Sequence, residues 1–346
     1  MQKGQSLKRL LRHKAGPLII ILVVFIIITM VVSSGVMEGK PFSSLFTRGF
    51  MSSGNLLNVF YKLVIQSFML CGIVLILIGG NIDLSVAGQA GIIAMVFAWL
   101  CQNTAMHWAI IFLLCLVMAA CLGLINTLLV NVLKFPSFIA TIGMSSVYAG
   151  LCNVITAGNN IQIARQGFIA FGKANIGGFL PVIFLIAMVA MIAYQFILSK
   201  TTFGRSVFMC GGNPNAARLS GLKPDKMRMI LFVNNSVLAA VGGLLWTAQV
   251  KLASPTALVT SGFDFQVISA SILGGVSFFG GGGSIGGAFA GVLLLNVFEN
   301  MLTVLKVPDY WIVFASGLVL IVALITDFIS TERRRKALMV AAVTGK

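Results

Sequence analysis

The sequence predicts an all-α, polytopic membrane protein with about ten transmembrane helices, and three observations carry that prediction. Of 346 residues, 58% are hydrophobic and only 9% are charged, where ordinary soluble domains hold roughly a quarter charged residues. The mean hydropathy is +1.02. A water-soluble fold of this size could not hide so much apolar surface. The apolar residues are also gathered into runs that approach the roughly 20 residues needed to cross hydrocarbon. A soluble enzyme, a disordered chain and a nucleic-acid-binding domain are therefore poor readings. The formal charge of +16 resembles a nucleic-acid signal only until the positions are read. Lys and Arg stand between the apolar runs, as topology signals do.

Taken in order, the first run is Pro17 to Ser34, behind Lys3, Lys8, Arg9, Arg12 and Lys14. It is too long for a signal-peptide core and lacks a small-x-small cleavage site, so it reads as a retained helix. Nine further spans follow: Leu63 to Gly80, Gly88 to Cys101, Trp108 to Val130, Ser137 to Ala157, Leu180 to Leu198, Met229 to Val250, Phe263 to Phe279, Ile285 to Leu305 and Tyr310 to Phe328. The third span is short, and the eighth and ninth are separated only by Gly280 to Ser284. With the amino terminus in the cytoplasm, 17 of the 24 Lys/Arg fall in inner segments and 7 in outer ones. That asymmetry supports ten spans with both termini cytoplasmic. The chain then divides into a tail at 1–16, a membrane domain at 17–328 with one long inner loop at 199–228, and a tail at 329–346. The outer segments Gly35 to Tyr61 and Gly158 to Gly178 are read as loops, each with room for a short surface helix.

The inner loop specifies a helix of about two turns. Asn213 suits the N-cap, Pro214 the first helical position and Gly221 the C-terminal stop, with good helix formers from Ala216 to Leu219 between them. A helix so short is unstable alone in water. It offers Ala216, Ala217 and Leu219 to a groove, and Arg218 as a charge. Local chemistry leaves two readings open: a helix resting on the chain's own spans, or a docking element for a cytoplasmic partner.

The segment Gly211-Gly-Asn-Pro-Asn-Ala-Ala-Arg-Leu-Ser-Gly221 resembles the cytoplasmic motif of permease subunits of bacterial sugar importers of the ATP-binding-cassette class. Gly79-Gly-Asn-Ile-Asp-Leu-Ser-Val86 resembles that family's G-G-I-D-L-S-V-G signature, with Asn81 inserted and Ala87 in place of the final Gly. Ile272-Leu-Gly-Gly-Val-Ser277, with the glycines at 280–283, 286, 287 and 291, resembles its late glycine-rich region. The resemblance implies that Gly212, Asn213, Pro214, Ala216, Ala217, Arg218 and Gly221 form a coupling helix gripped by a separate cytoplasmic ATPase. It further implies an extracytoplasmic solute-binding protein, a second permease subunit that is identical or closely related, and a multi-pass place in the bacterial inner membrane. Spans two to five and seven to ten would be related, and five spans apart means an inverted repeat.

The chain lacks the G-x-x-x-x-G-K-[ST] phosphate cradle. Gly280 to Gly287 has glycines without the Lys and lies between apolar spans, where it permits a tight inner turn. ATP and Mg are therefore expected on the partner ATPase, with no cofactor, catalytic group or metal in this chain. The eight acidic residues form no paired carboxylates beside a His. His13 and His107 stand apart, and the six cysteines contain no CxxC pair and read as packing.

Polar groups inside the spans are the remaining candidates. Asn296, Glu299 and Asn300 share one helical face, which lines a translocation path or makes interhelical hydrogen bonds. Asp83 can N-cap the third span, or the break at Gly79-Gly80 opens backbone to a central pathway. Ser85, Asn126, Asn131, Asn234 and Asn235 join this set, and neutral amides suit an uncharged polyhydroxyl solute. The alternative is an ion-coupled secondary transporter that uses Glu299 or Asp83.

Overall fold

The computed structural model describes residues 16–34, 39–46 and 48–318, with positions 321, 322, 325, 328 and 332 beyond them. Most of tail 1–16 and of tail 329–346 lies outside the described residues. The architecture is all-α and polytopic. Seven described helices are long and apolar enough to cross a membrane.

In chain order the helices are α1 (Gly16–Ser34), α2 (Ser53–Ile78), α3 (Val86–Asn103), α4 (Trp108–Asn131), α5 (Ser137–Thr156), α6 (Gln166–Lys173), α7 (Val182–Lys200), α8 (Thr202–Gly212), α9 (Pro214–Leu219), α10 (Pro224–Val250), α11 (Ala257–Thr260), α12 (Phe263–Leu273) and α13 (Ile285–Val304). Residues 309–318 are helical again. Among the described residues, two-residue strands occur only on the loops: β1 (Ile161–Gln162) pairs antiparallel with β4 (Leu252–Ala253), and β2 (Asn175–Ile176) with β3 (Leu180–Pro181).

Helices α2 and α10 form the centre. From Leu63 to Ile78 every α2 residue is buried, and α10 packs against α2, α3 and α4. Helices α4, α5 and α7 turn large apolar side chains outward, among them Leu113, Val117, Val154, Val189 and Ile192. In water such faces would be untenable. Against lipid tails they are neutral, so the outer ring reads as the lipid-facing layer.

The structure corrects several sequence boundaries. Helix α2 starts ten residues before the expected Leu63, because Ser52 N-caps it by accepting from the Asn55 amide at 3.4 Å. Part of the expected outer loop is thus helical, and Lys62 sits on a helix. The inner loop 199–228 is also mostly helical. Thr201 accepts from the Gly204 amide at 3.2 Å and starts α8, while Pro224 starts α10 ahead of the expected Met229. The eighth expected span, to Phe279, ends as a helix at Leu273. Gly274 and Gly275 stop it with the same bonds that stop α2 at Gly79 and Gly80: Val276 N–H donates to Ser271 O, as Asn81 N–H does to Ile76 O. Gly80 and Gly275 both have positive φ, at 74° and 87°. Of the expected outer helices, the second segment holds α6, preceded by Arg165, whose Nε donates to Cys101 O at 3.1 Å and whose Nη2 donates to Thr104 O. The first holds two 3₁₀ turns, Phe42–Phe46 and Gly49–Met51.

Candidate functional site

The inner helix α9 forms with the chemistry its sequence carries. Asn213 Oδ1 accepts from Asn215 N–H at 3.1 Å and Ala216 N–H at 3.0 Å. Pro214 occupies the first turn. The carboxyl end closes when Gly221 N–H donates to Arg218 O and Leu222 N–H to Ala217 O, both at 3.0 Å. Gly221 adopts φ +82°, which costs a glycine nothing. One side of the helix is seated: Ala217 is 1% exposed. The other stands free, with Leu219 91% exposed. The three apolar side chains therefore do not share one face, since Ala216 is exposed as well. Arg218 is half-exposed, reaching Asn215 Oδ1 at 3.4 Å and Asp225 Oδ2 at 3.9 Å.

The residues just before α9 lie against the α2 break and the turn before α13. A Cβ on Gly211 would fall 1.8 Å from the Ile78 carbonyl oxygen, a separation no side chain tolerates. One on Gly280 would fall 2.8 Å from Gly211 O and 2.9 Å from Gly80 Cα, and one on Gly281 2.7 Å from Gly212 Cα. Gly281 N–H donates to Ile78 O at 2.8 Å. Three backbone segments thus touch without side chains between them: the end of α2, the end of α8 and the turn before α13. Only glycine permits such contact.

The polar residues expected along a pathway divide into two clusters. Asp83 is 2% exposed and does not cap α3; Ser85 occupies that position and makes no side-chain cap bond. Asp83 instead holds the entry turn, its Oδ1 accepting from Ser85 N–H at 2.9 Å and Ser85 Oγ at 2.6 Å. Asn235 Nδ2 on α10 donates to Asp83 Oδ2 at 2.9 Å. Asn126 Nδ2 on α4 and Gln89 Nε2 on α3 donate to Ser85 Oγ at 2.8 and 2.9 Å, and Tyr148 Oη on α5 donates to Asn126 Oδ1 at 3.1 Å. The entry turn and four helices meet in one buried network, with the Asp83 carboxylate bonded by Ser85 and Asn235. Asn234 points elsewhere and accepts from Tyr194 Oη at 2.5 Å, while Asn131 ties α4 to α10 by donating to Asp225 O at 2.7 Å.

The second cluster joins α13 to α2 through three levels. Asn300 and Asn55 exchange amide hydrogen bonds at 2.9 Å each, Glu299 pairs with Lys62, and Asn296 Nδ2 donates to Gln66 Oε1 at 3.0 Å. Gln66 Nε2 continues to Gln266 Oε1 at 3.1 Å, and Ser316 Oγ donates to Glu299 Oε1 at 2.8 Å. The shared helical face of 296, 299 and 300 was legible from spacing. Its partners Lys62, Gln66 and Gln266 were not, because nothing in a sequence pairs α2 with α13. Among the described residues no three His, Cys, Asp or Glu side chains gather as metal ligands. All six cysteines are free thiols, five buried and Cys121 exposed.

The model of the family described as branched-chain amino acid transport system / permease component matches residues 54–324. The autoinducer 2 import system permease protein LsrC of Photorhabdus luminescens is 32% identical over 269 residues, covering 78% of this chain and 80% of that protein. LsrC of Yersinia enterocolitica is 30% identical over 280 residues, covering 81% and 77%. No solved structure matches. With its apolar spans, its capped inner helix and its glycine-rich breaks, the chain belongs to this permease family, multi-pass proteins of the bacterial inner membrane, and within it to the sugar-type permease subunits of ATP-binding-cassette importers.

Proposed function

We propose that this subunit, together with a second permease subunit, forms the membrane pathway for a sugar or related polyhydroxyl solute. A solute-binding protein delivers the solute to the outer loops. A separate ATPase holds ATP and Mg and grips α9 from the cytoplasm. Ten spans with both termini inside, arranged as an inverted repeat, place α9 on that inner side. The paired glycine stops at 79–80 and 274–275 support the repeat. The relatives are named for import of autoinducer 2, so this subunit too is read as a pathway for a small solute.

The observation that carries the coupling assignment is Leu219, 91% exposed on a helix too short to stand alone. An apolar side chain displayed at the tip of a capped turn is a contact awaiting a groove. Closure of the ATPase then moves α9, and the glycine junction passes that motion from α8 to the break of α2 and the turn before α13 without intervening side chains. An ion-coupled carrier would need a carboxylate that exchanges protons as it works. Asp83 is 2% exposed and held by Ser85 and Asn235, and Glu299 is neutralised by Lys62.

The test is reconstituted uptake with the ATPase and binding protein, comparing wild type with Arg218→Glu and Leu219→Asp. Both substitutions lie on the free side of α9 and leave buried Ala217 in place. Uptake is expected to fall at least tenfold while the permease still folds and inserts. Uptake that survives both changes, or that persists without ATPase and collapses with a protonophore, overturns the assignment.

A further inference from the structure

The second polar cluster borders a cavity of about 490 Å³ between α2, α11, α12, α13 and the helical residues 309–318. That lies within the roughly 300–1,000 Å³ of ordinary ligand pockets. We propose that this cavity, formed inside one subunit, receives an uncharged polyhydroxyl solute on its way in. The proposal rests on the permease reading for the direction from which the solute comes.

The lining has two chemically distinct sides. One is polar: Lys62, Glu299, Gln266 and Ser316. Glu299 accepts one bond on each oxygen, from Lys62 and from Ser316, so each oxygen keeps a lone pair for a hydroxyl. Gln266 Oε1 is engaged by Gln66, and its Nε2 makes only a 3.4 Å contact to Ser261 O, so the amide donor is available to a better acceptor. The other side is apolar: Phe265, with 48% of its surface exposed, and Ile312. Hydroxyls donate and accept at once, and the C–H face of a sugar ring packs on an aromatic ring. This pairing of walls offers both.

Charge selects among solutes. Lys62 and Glu299 neutralise one another, and Asp309 leaves the lining with one net negative charge, so an anionic solute is repelled while a neutral one is not. A carboxylate solute would meet both Glu299 and Asp309, and Lys62, already paired, offers it no free cation. An acyl chain is a poor occupant too, because an ion pair facing hydrocarbon is costly. The Asp83 cluster differs in kind. Its groups bond one another in a buried knot between five elements, as packing requires.

Position agrees with the chemistry. On the ten-span orientation, Lys62 stands toward the outer end of α2 and Asp309 follows the outer segment that holds Lys306, which puts these lining residues on the side the binding protein serves.

The experiment uses the full importer in proteoliposomes carrying Thr260→Cys or Ser261→Cys, both lining positions outside the polar and aromatic contacts, with wild type reporting the background of the native thiols. A membrane-impermeant cationic methanethiosulfonate is added from the outer side. The probes are D-ribose, D-xylose, D-galactose, ribitol and myo-inositol, with sodium acetate as the charged control. Both variants are expected to react from outside. At least one neutral polyol should slow that reaction about fivefold when present at about four times its dissociation constant, because the free fraction falls as 1/(1 + [L]/Kd). Acetate should leave it unchanged. The assignment is overturned if only a lipid-soluble maleimide reacts, if neither reagent reacts, or if no polyol in the panel protects. ATP-driven uptake is measured in the same vesicles. Uptake without protection removes the cavity assignment alone, whereas protection without ATP-driven uptake removes the permease reading and leaves a polyol site.

Discussion

Asp83 shows how a single residue carries both structure and a test of mechanism. Its carboxylate fixes the turn between α2 and α3 by accepting from Ser85 twice, and it draws α10 inward through Asn235. Asn235 Oδ1 is buried without a partner. An Asp83→Asn substitution can therefore be absorbed. Rotation of the Asn235 amide turns its oxygen toward the new donor, and the remaining oxygen still serves Ser85. Asp83→Ala leaves the Ser85 amide and hydroxyl without their acceptor, which costs about 1–3 kcal/mol for a buried group. Thermal melting in detergent should place the Asn variant near wild type and the Ala variant several degrees below, with ATP-driven uptake retained by the Asn variant. Abolished uptake in a well-folded Asn variant would mean that the carboxylate itself moves a proton, which is the ion-coupled mechanism. Residues of this kind were partly legible. The sequence marked Asp83, Asn126 and Asn235 because polar groups in apolar runs are conspicuous. Of the two roles it offered Asp83, the cap is not the one found, because an aspartate three residues before a helix reads as a cap whether its oxygen meets the helix or the turn.

At the scale of elements, the glycine junction is the mechanical claim. Helix α8 delivers Gly211 and Gly212 against Ile78, Gly80, Gly280 and Gly281, and α9 follows one residue later. Gly211→Ala drives a methyl into the Ile78 carbonyl, where a Cβ would lie at 1.8 Å. Relief requires α8 to withdraw from α2, which also breaks the contact with the turn before α13. The expected result is a complex that still binds ATPase through the intact α9 yet loses at least tenfold in uptake per ATP hydrolysed. Normal uptake per ATP in that variant would show that the junction is not in the coupling path. Helix α9 itself was readable from its caps alone. Helix α8 was not, although Thr201 is a cap of the same type, because Gly204 and Arg205 follow it in a segment already taken for loop. The early stop of α12 was hidden for the opposite reason: an apolar run that continues to Phe279 conceals two glycines that end the helix at Leu273.

At the scale of the whole molecule, burial and charge make independent statements about orientation. The central position of α2 and α10, with α4, α5 and α7 displaying apolar side chains outward, says which helices face lipid and nothing about which end is inside. The charge asymmetry supplies the sign: with ten spans, 17 of 24 Lys/Arg would fall on the side that holds α9. The fold class was legible because hydropathy is a sum over many residues and survives local errors, whereas the packing order of the helices depends on contacts that composition does not encode. The orientation is tested with two cysteines placed at exposed positions on opposite sides, Asn215→Cys on α9 and Gly178→Cys on the turn between β2 and β3. An impermeant maleimide applied to right-side-out vesicles should label position 178 and leave 215 untouched, and inside-out vesicles should reverse the pattern. Adding the ATPase to inside-out vesicles should then shield position 215 specifically, since the grip on α9 covers that turn. Labelling of both positions from one side would remove an odd number of spans between them, and with it the arrangement that places the coupling helix in the cytoplasm.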